Sequence, residues 1–123
     1  MIKAFVTHKF ELNGIHKLNL NNQNIEPLHG HHYKYYVTLS GAINKDSGVI
    51  YPHHVVQQIV TENINKIFNK KYLNEIIEYS SGEFLAKEIY DRLKHTLLGK
   101  HLHSIMINET TKNRFIYPCQ KMI

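Results

Sequence analysis

His29-Gly30-His31 places two imidazoles one residue apart, and that spacing could do metal chemistry. In an extended strand, side chains at i and i+2 point to the same face, so His29 and His31 project together with Cα atoms about 6.5 Å apart. Gly30 between them has no side chain and lets backbone or a ligand come close. Two imidazoles on one face can hold a divalent cation, and a third would complete a site of the catalytic type, with coordination positions left open. His8 is the candidate for that third ligand. The alternative is an unremarkable pair in a chain that carries ten histidines.

The segments around these histidines read as strands. Ile2, Ala4, Val6, His8, Phe10 and Leu12 form one face, against Lys3, Phe5, Thr7, Lys9 and Glu11 on the other, the alternation of a half-buried strand. A lone histidine in such a stripe is more often a hydrogen-bonded core residue than a ligand. The next strand repeats the pattern, with His31, Tyr33, Tyr35, Val37 and Leu39 facing one way and His32, Lys34, Tyr36, Thr38 and Ser40 the other. Antiparallel pairing of the two would let His8 converge with His29 and His31.

At 123 residues the chain is expected to be a single domain over 1–123. No stretch approaches the ~20 apolar residues of a membrane span, and strand pattern begins at the N-terminus, so no signal peptide and no membrane partner are expected. Cys119 is the only cysteine, which excludes an internal disulfide and fits a reducing, cytoplasmic setting. The net charge of +5 comes from 13 lysines and two arginines, Arg92 and Arg114. The lysines are scattered, unlike the arginine-rich clusters of nucleic-acid readers, so no nucleic-acid partner is expected. A solvated basic surface, with some steering of an anionic substrate, is the reading this composition favours.

The elements follow in the order β-β-α-α-β-β. A long loop is expected over residues 13–28, loops of that length being commonly functional, and a turn over 44–48. The first helix opens near Pro52 and carries Val55, Val56, Ile59, Val60, Ile64, Ile67 and Phe68 at helical spacing. Ser80 and Glu83 have capping-box spacing for the second helix, which runs through Phe84, Leu85, Ile89, Leu93 and Leu97 to a cap at Gly99. Strands are predicted over 101–108 and 114–117. Two hairpins and two helices make an α+β sandwich with exposed sheet edges, which a partner subunit could cover.

Phe5-Val6-Thr7-His8, Leu28-His29-Gly30-His31 with Tyr33, Gly48-Val49-Ile50, Tyr72-Leu73-Asn74, Glu83-Phe84-Leu85-Ala86 and Glu109-Thr110 occur in an order that resembles the 6-pyruvoyltetrahydropterin synthase and 6-carboxytetrahydropterin synthase family. The resemblance covers nearly the whole chain. It implies the tunnelling fold, a four-stranded antiparallel sheet with two helices on one face, whose subunits close an oligomeric barrel, usually a homohexamer built as a dimer of trimers. It implies zinc on His8, His29 and His31, and a reduced pterin as the small-molecule partner. It also implies that Glu109, with Thr110 beside it, anchors the pterin ring, a carboxylate being able to accept two parallel hydrogen bonds.

The family's catalytic groups are replaced. Its cysteine, four residues before the first histidine of His-Gly-His, corresponds to Ile25; its Asp-His pair corresponds to Asn69 and Lys70; its Asp-Phe corresponds to Pro52-His53. Glu26, in Glu26-Pro27-Leu28-His29-Gly30-His31, is similar to a family branch in which a glutamate replaces that cysteine. That branch, known from malaria parasites and some bacteria, shortens the side chain of 7,8-dihydroneopterin triphosphate to 6-hydroxymethyl-dihydropterin, a folate precursor. Zinc would acidify side-chain hydroxyls and Glu26 would remove a proton so that a C–C bond can cleave. His53 could substitute for the missing histidine of the pair, the alternative being a surface residue at a helix start. The resemblance leaves two further readings: the 6-carboxytetrahydropterin synthase of the queuosine pathway, and a pterin-binding paralogue without turnover.

Overall fold

The structure, a computed structural model, describes residues 1–17 and 28–119. Strand β1 (Lys3–His16) and strand β2 (His29–Ala42) form a long antiparallel hairpin, paired from Lys3 with Ala42 to His16 with His29. The predicted alternation holds and runs further than expected. Phe10, Leu12, Gly14 and His16 are buried on one face of β1 while their neighbours are exposed. Asn13-Gly14 therefore does not turn the chain. Gly14 lies within the strand because a side chain there would collide with Leu73, whose Cδ1 is 2.8 Å from the position a Cβ would take.

Strand β4 (Leu102–Glu109) adds to β2, and β5 (Asn113–Tyr117) adds to β4, both antiparallel. A two-residue strand β3 (Lys71–Tyr72) pairs parallel with β1 at Gly14 and Ile15, giving the order β3-β1-β2-β4-β5. The sheet thus has five strands where four were expected; a strand this short leaves no periodic trace in sequence.

All helices cover one face. Helix α1 (His53–Val60) continues through a π-helical turn (Thr61–Asn65) into the short α2 (Lys66–Phe68). Val56, Val60, Ile64 and Phe68 are fully buried at every fourth position. The π turn aims Asn65 at the sheet, where it accepts a hydrogen bond from the Tyr35 hydroxyl and donates to the carbonyl oxygen of Glu11. Helix α3 (Gly82–Lys94) buries Leu85, Ile89 and Leu93. Its N-cap is Ser81, whose hydroxyl accepts from the Phe84 amide, so the expected Ser80 cap is displaced by one residue. The helix ends at His95, ahead of the predicted Gly99. Among the described residues no helix is long and apolar enough to cross a membrane.

Candidate metal centre

The hairpin register decides which histidines meet. His16 ends β1 directly opposite His29 at the start of β2, on the helix-covered face, and His31 lies two residues along on the same face. One ring nitrogen from each of His16, His29 and His31 falls within 4.8 Å of the others. The Nε2 atoms of His16 and His29 are 3.2 Å apart. Two imidazole nitrogens sharing a tetrahedral zinc stand roughly 3.4 Å apart at Zn–N distances of ~2.0–2.1 Å. The three rings meet edge to face, with centroids 4.5–4.9 Å apart.

The orientation of His16 is set from behind. Its Nδ1 lies 2.8 Å from the carbonyl oxygen of Ser80, the residue before the α3 cap. A carbonyl can only accept, so Nδ1 carries the proton and Nε2 presents its lone pair toward the other two rings. Three neutral nitrogen donors, one of them tautomer-locked by a backbone acceptor, suit a zinc-like cation and leave coordination positions for a ligand. His16 is 1% exposed and closes the inner side, whereas His29 and His31 are half-buried.

His8, expected as the third ligand, is not in this cluster. It pairs with Val37, eight residues from the end of β1 and so about 26 Å from His16 along the strand. Its ring packs against that of His53, the first residue of α1, with centroids 5.3 Å apart. Its Nε2 is buried with no hydrogen-bond partner among the described residues, and burial together with His53 lowers its pKa. His53 is thereby drawn to the far end of the hairpin, away from the three histidines. His16 falls within the loop expected over residues 13–28; the unbroken alternation Leu12, Gly14, His16 is the sequence signal that continues the strand to it.

Glu109 does reach the cluster. It ends β4 opposite Tyr33, and its Oε1 stands 3.8 Å from His31 Nε2, both side chains being about one-sixth exposed (15% and 16%). Tyr33 is fully buried; its ring faces His31 and His16, and its hydroxyl has no partner among the described residues. Burial and the neighbouring Glu109 charge push the Tyr33 pKa up, so it stays a neutral phenol. Thr110 follows with φ of 54°, its hydroxyl donating to the Glu109 carbonyl oxygen at 2.6 Å. Glu26 lies outside the described residues. Asn69 and Lys70 tie the end of α2 to β1: Asn69 Oδ1 accepts from the Asn13 amide, and the Lys70 amide donates to the Asn13 carbonyl.

A sequence profile described as 6-pyruvoyl tetrahydropterin synthase matches residues 5–119. The 6-pyruvoyl tetrahydrobiopterin synthase of Drosophila melanogaster is 26% identical over 132 residues, covering 93% of this chain and 79% of that protein. That of Poecilia reticulata is 31% identical over 94 residues, with 72% of this chain and 64% of that protein covered. Among solved structures, Caenorhabditis elegans 6-pyruvoyl tetrahydropterin synthase superimposes with a TM-score of 0.85 at 21% identity over 98% of both chains. A Plasmodium vivax 6-pyruvoyltetrahydropterin synthase with a catalytic glutamate replaced by cysteine gives 0.77 at 14% identity, covering 94% of this chain and 97% of that one. The matched span includes the histidine cluster and Glu109 and takes in all but the ends of the chain: it belongs to the 6-pyruvoyl tetrahydropterin synthase family.

Proposed function

We propose that the protein is a zinc-dependent lyase acting on the side chain of 7,8-dihydroneopterin triphosphate and releasing 6-hydroxymethyl-dihydropterin. The observation that carries this reading is the juxtaposition of three convergent imidazoles with Glu109, whose Oε1 is 3.8 Å from His31. His16, His29 and His31 hold the metal, with His16 in the role the sequence suggested for His8. Zinc, when bound, lowers the pKa of substrate hydroxyls beside it. Glu109 holds the pterin ring through its N–H donors, with Thr110 shaping the strand end around it.

Glu26 is the base, three residues before His29. Support comes from the P. vivax relative, in which a catalytic residue is a glutamate. Glu26 takes the proton of the C2′ hydroxyl; the C1′–C2′ bond breaks as a carbonyl forms at C2′, and a proton returns to C1′. Within one chain His53 lies away from this step, packed against His8 at the other end of the hairpin. Exposed apolar side chains on the uncovered sheet face (Phe5, Ile15 and Ile116) favour assembly of the subunits into a homohexameric barrel.

Incubating zinc-loaded protein with 7,8-dihydroneopterin triphosphate and identifying the pterins formed tests the proposal. The expected product is 6-hydroxymethyl-dihydropterin; no turnover above a metal-stripped control overturns it. A 6-carboxy or 6-pyruvoyl product assigns the chain to another branch of the family. One observation favours a second reading, a pterin-binding protein without turnover: Asn69, at the first position of the family's Asp-His pair, has its side-chain oxygen engaged by the Asn13 amide of β1. Tight pterin binding without product would establish that reading.

A further inference from the structure

Two buried side-chain atoms lack a hydrogen-bond partner among the described residues. One, the Tyr33 hydroxyl, stands beside the histidine cluster. The other is His8 Nε2, about 26 Å along β1 from His16. His8 is 9% exposed. Its neighbours on the same sheet face are Val6 and Phe10 along β1, and Tyr35, Val37 and Leu39 across on β2. The one polar side-chain atom among them, the Tyr35 hydroxyl, is already bonded to Asn65. The sheet therefore offers this imidazole no partner, and a buried polar group left so carries a free-energy cost that a ligand would relieve.

The start of α1 covers it. His53, the first residue of that helix, sets its ring against that of His8, with centroids 5.3 Å apart and planes at 83°. His53 is itself exposed, which gives a small solute a way in from solvent. The helix end is uncapped: Pro52 precedes it, no side chain bonds to it, and its first turn holds no acidic residue. The Pro52 carbonyl oxygen accepts from the amides of Val55 at 3.1 Å and Val56 at 3.3 Å. The amides of His53 and His54 then have no acceptor within the helix. The aligned peptide dipoles place roughly half a positive charge at this point. Burial, and then His53, hold the His8 pKa down, and no carboxylate among the described residues pulls it the other way.

We propose that His8 and the start of α1 form a site for a small oxyanion, sulfate or phosphate in type, held between the helix layer and the sheet. Such an anion accepts from the His53 and His54 amides and from His8 Nε2, which carries the proton in one neutral tautomer and in the imidazolium. A metal ion is the poorer occupant, because the two imidazoles meet at the positive end of a helix. A single water could satisfy Nε2 but leaves the helix charge unanswered. The site is separate from the histidine cluster and does not depend on the pterin reading.

The test follows the His8 Cε1–H resonance of zinc-loaded protein while sodium sulfate is added, against sodium chloride at equal ionic strength. Sulfate keeps its charge between about pH 5 and 8, so a pH dependence in that range belongs to the protein. His8→Leu, an apolar replacement in apolar surroundings, assigns the resonance by its loss. The expected result is a saturable shift with sulfate and a His8 pKa raised by about one unit. By linkage, sulfate then binds ~10-fold more tightly below the His8 pKa than above it. His53→Ala should weaken the response of His8 several-fold, and zinc content should stay the same in both variants. Inorganic phosphate and glycerol phosphate, added in the same way, distinguish a free anion from the end of a phosphate ester; a saturable response to either supports the site. Equal responses to chloride and sulfate overturn the proposal in favour of screening. No response overturns it in favour of a buried water. A His8 shift on adding zinc beyond that held by the histidine cluster overturns it in favour of a metal.

Discussion

His16 Nδ1 donates to the carbonyl oxygen of Ser80 at 2.8 Å, joining the end of the first strand to the start of the last helix. The contact fixes the tautomer of the most buried of the three clustered histidines, so the helix layer sets the direction in which the sheet presents a candidate metal ligand. Ser80 is itself 1% exposed, and its hydroxyl donates to Asn74 Oδ1 at 3.1 Å, which holds the carbonyl in place.

His16→Ala is expected to weaken zinc binding by at least ~100-fold, because two imidazoles remain and the lost one was pre-oriented. His8→Ala should leave zinc affinity unchanged. Competition with a chromogenic chelator measures both. Zinc lost in the His8 variant and kept in the His16 variant would overturn the register-based assignment.

Glu109→Gln keeps the side chain's shape but sets an amide N–H₂ where an acceptor stood. Losing one charge-assisted hydrogen bond, with a donor now facing a donor, should cost on the order of 2–3 kcal/mol, or ~30- to 150-fold in pterin affinity. Zinc content should not change. Wild-type affinity in calorimetry would show that the ring is held elsewhere.

Tyr33→Phe removes a fully buried hydroxyl that has no hydrogen-bond partner among the described residues. Deleting an unsatisfied buried polar atom while keeping the ring should stabilise the ligand-free protein by about 1 kcal/mol. The urea midpoint should rise with an unchanged slope. A lower midpoint would mean that the hydroxyl is hydrogen-bonded in solution.

The His8–His53 pair predicts a pH dependence of stability. His8 has its pKa lowered by burial and by His53, so the folded state binds its proton less readily than the unfolded chain does. Above an unfolded value of ~6.5 both states hold it neutral and its contribution is fully present. As pH falls below that, the unfolded state takes up the proton first and stability drops, levelling off once pH passes below the lowered folded pKa. His8→Leu should flatten this slope in denaturant titrations between about pH 7 and 5. An unchanged slope would assign the dependence to other groups.

Much of this protein could be read along the chain because its signals are local. Period-two alternation marks β1 and β2, the fourfold spacing of Val56, Val60 and Ile64 marks the first helix, and His29-Gly30-His31 marks one wall of the candidate metal centre, since a strand's geometry alone puts i and i+2 on one face. The third histidine was a matter of register, which no single strand contains. Both His8 and His16 have the parity of the inner face, and only the pairing of His16 with His29 selects between them. That pairing depends on Gly14 continuing the strand, and Gly14 continues it because Leu73 and Tyr33 occupy the space above it. Likewise Ser80 passes from an expected helix cap to the partner of His16 only when α3 is laid against the end of the hairpin. Residue types and their periodicity determined which faces could bind a metal. Packing between distant segments decided which side chains stand close enough to share one, because a coordination site requires atoms within a few ångströms and sequence spacing sets such distances only within a single element.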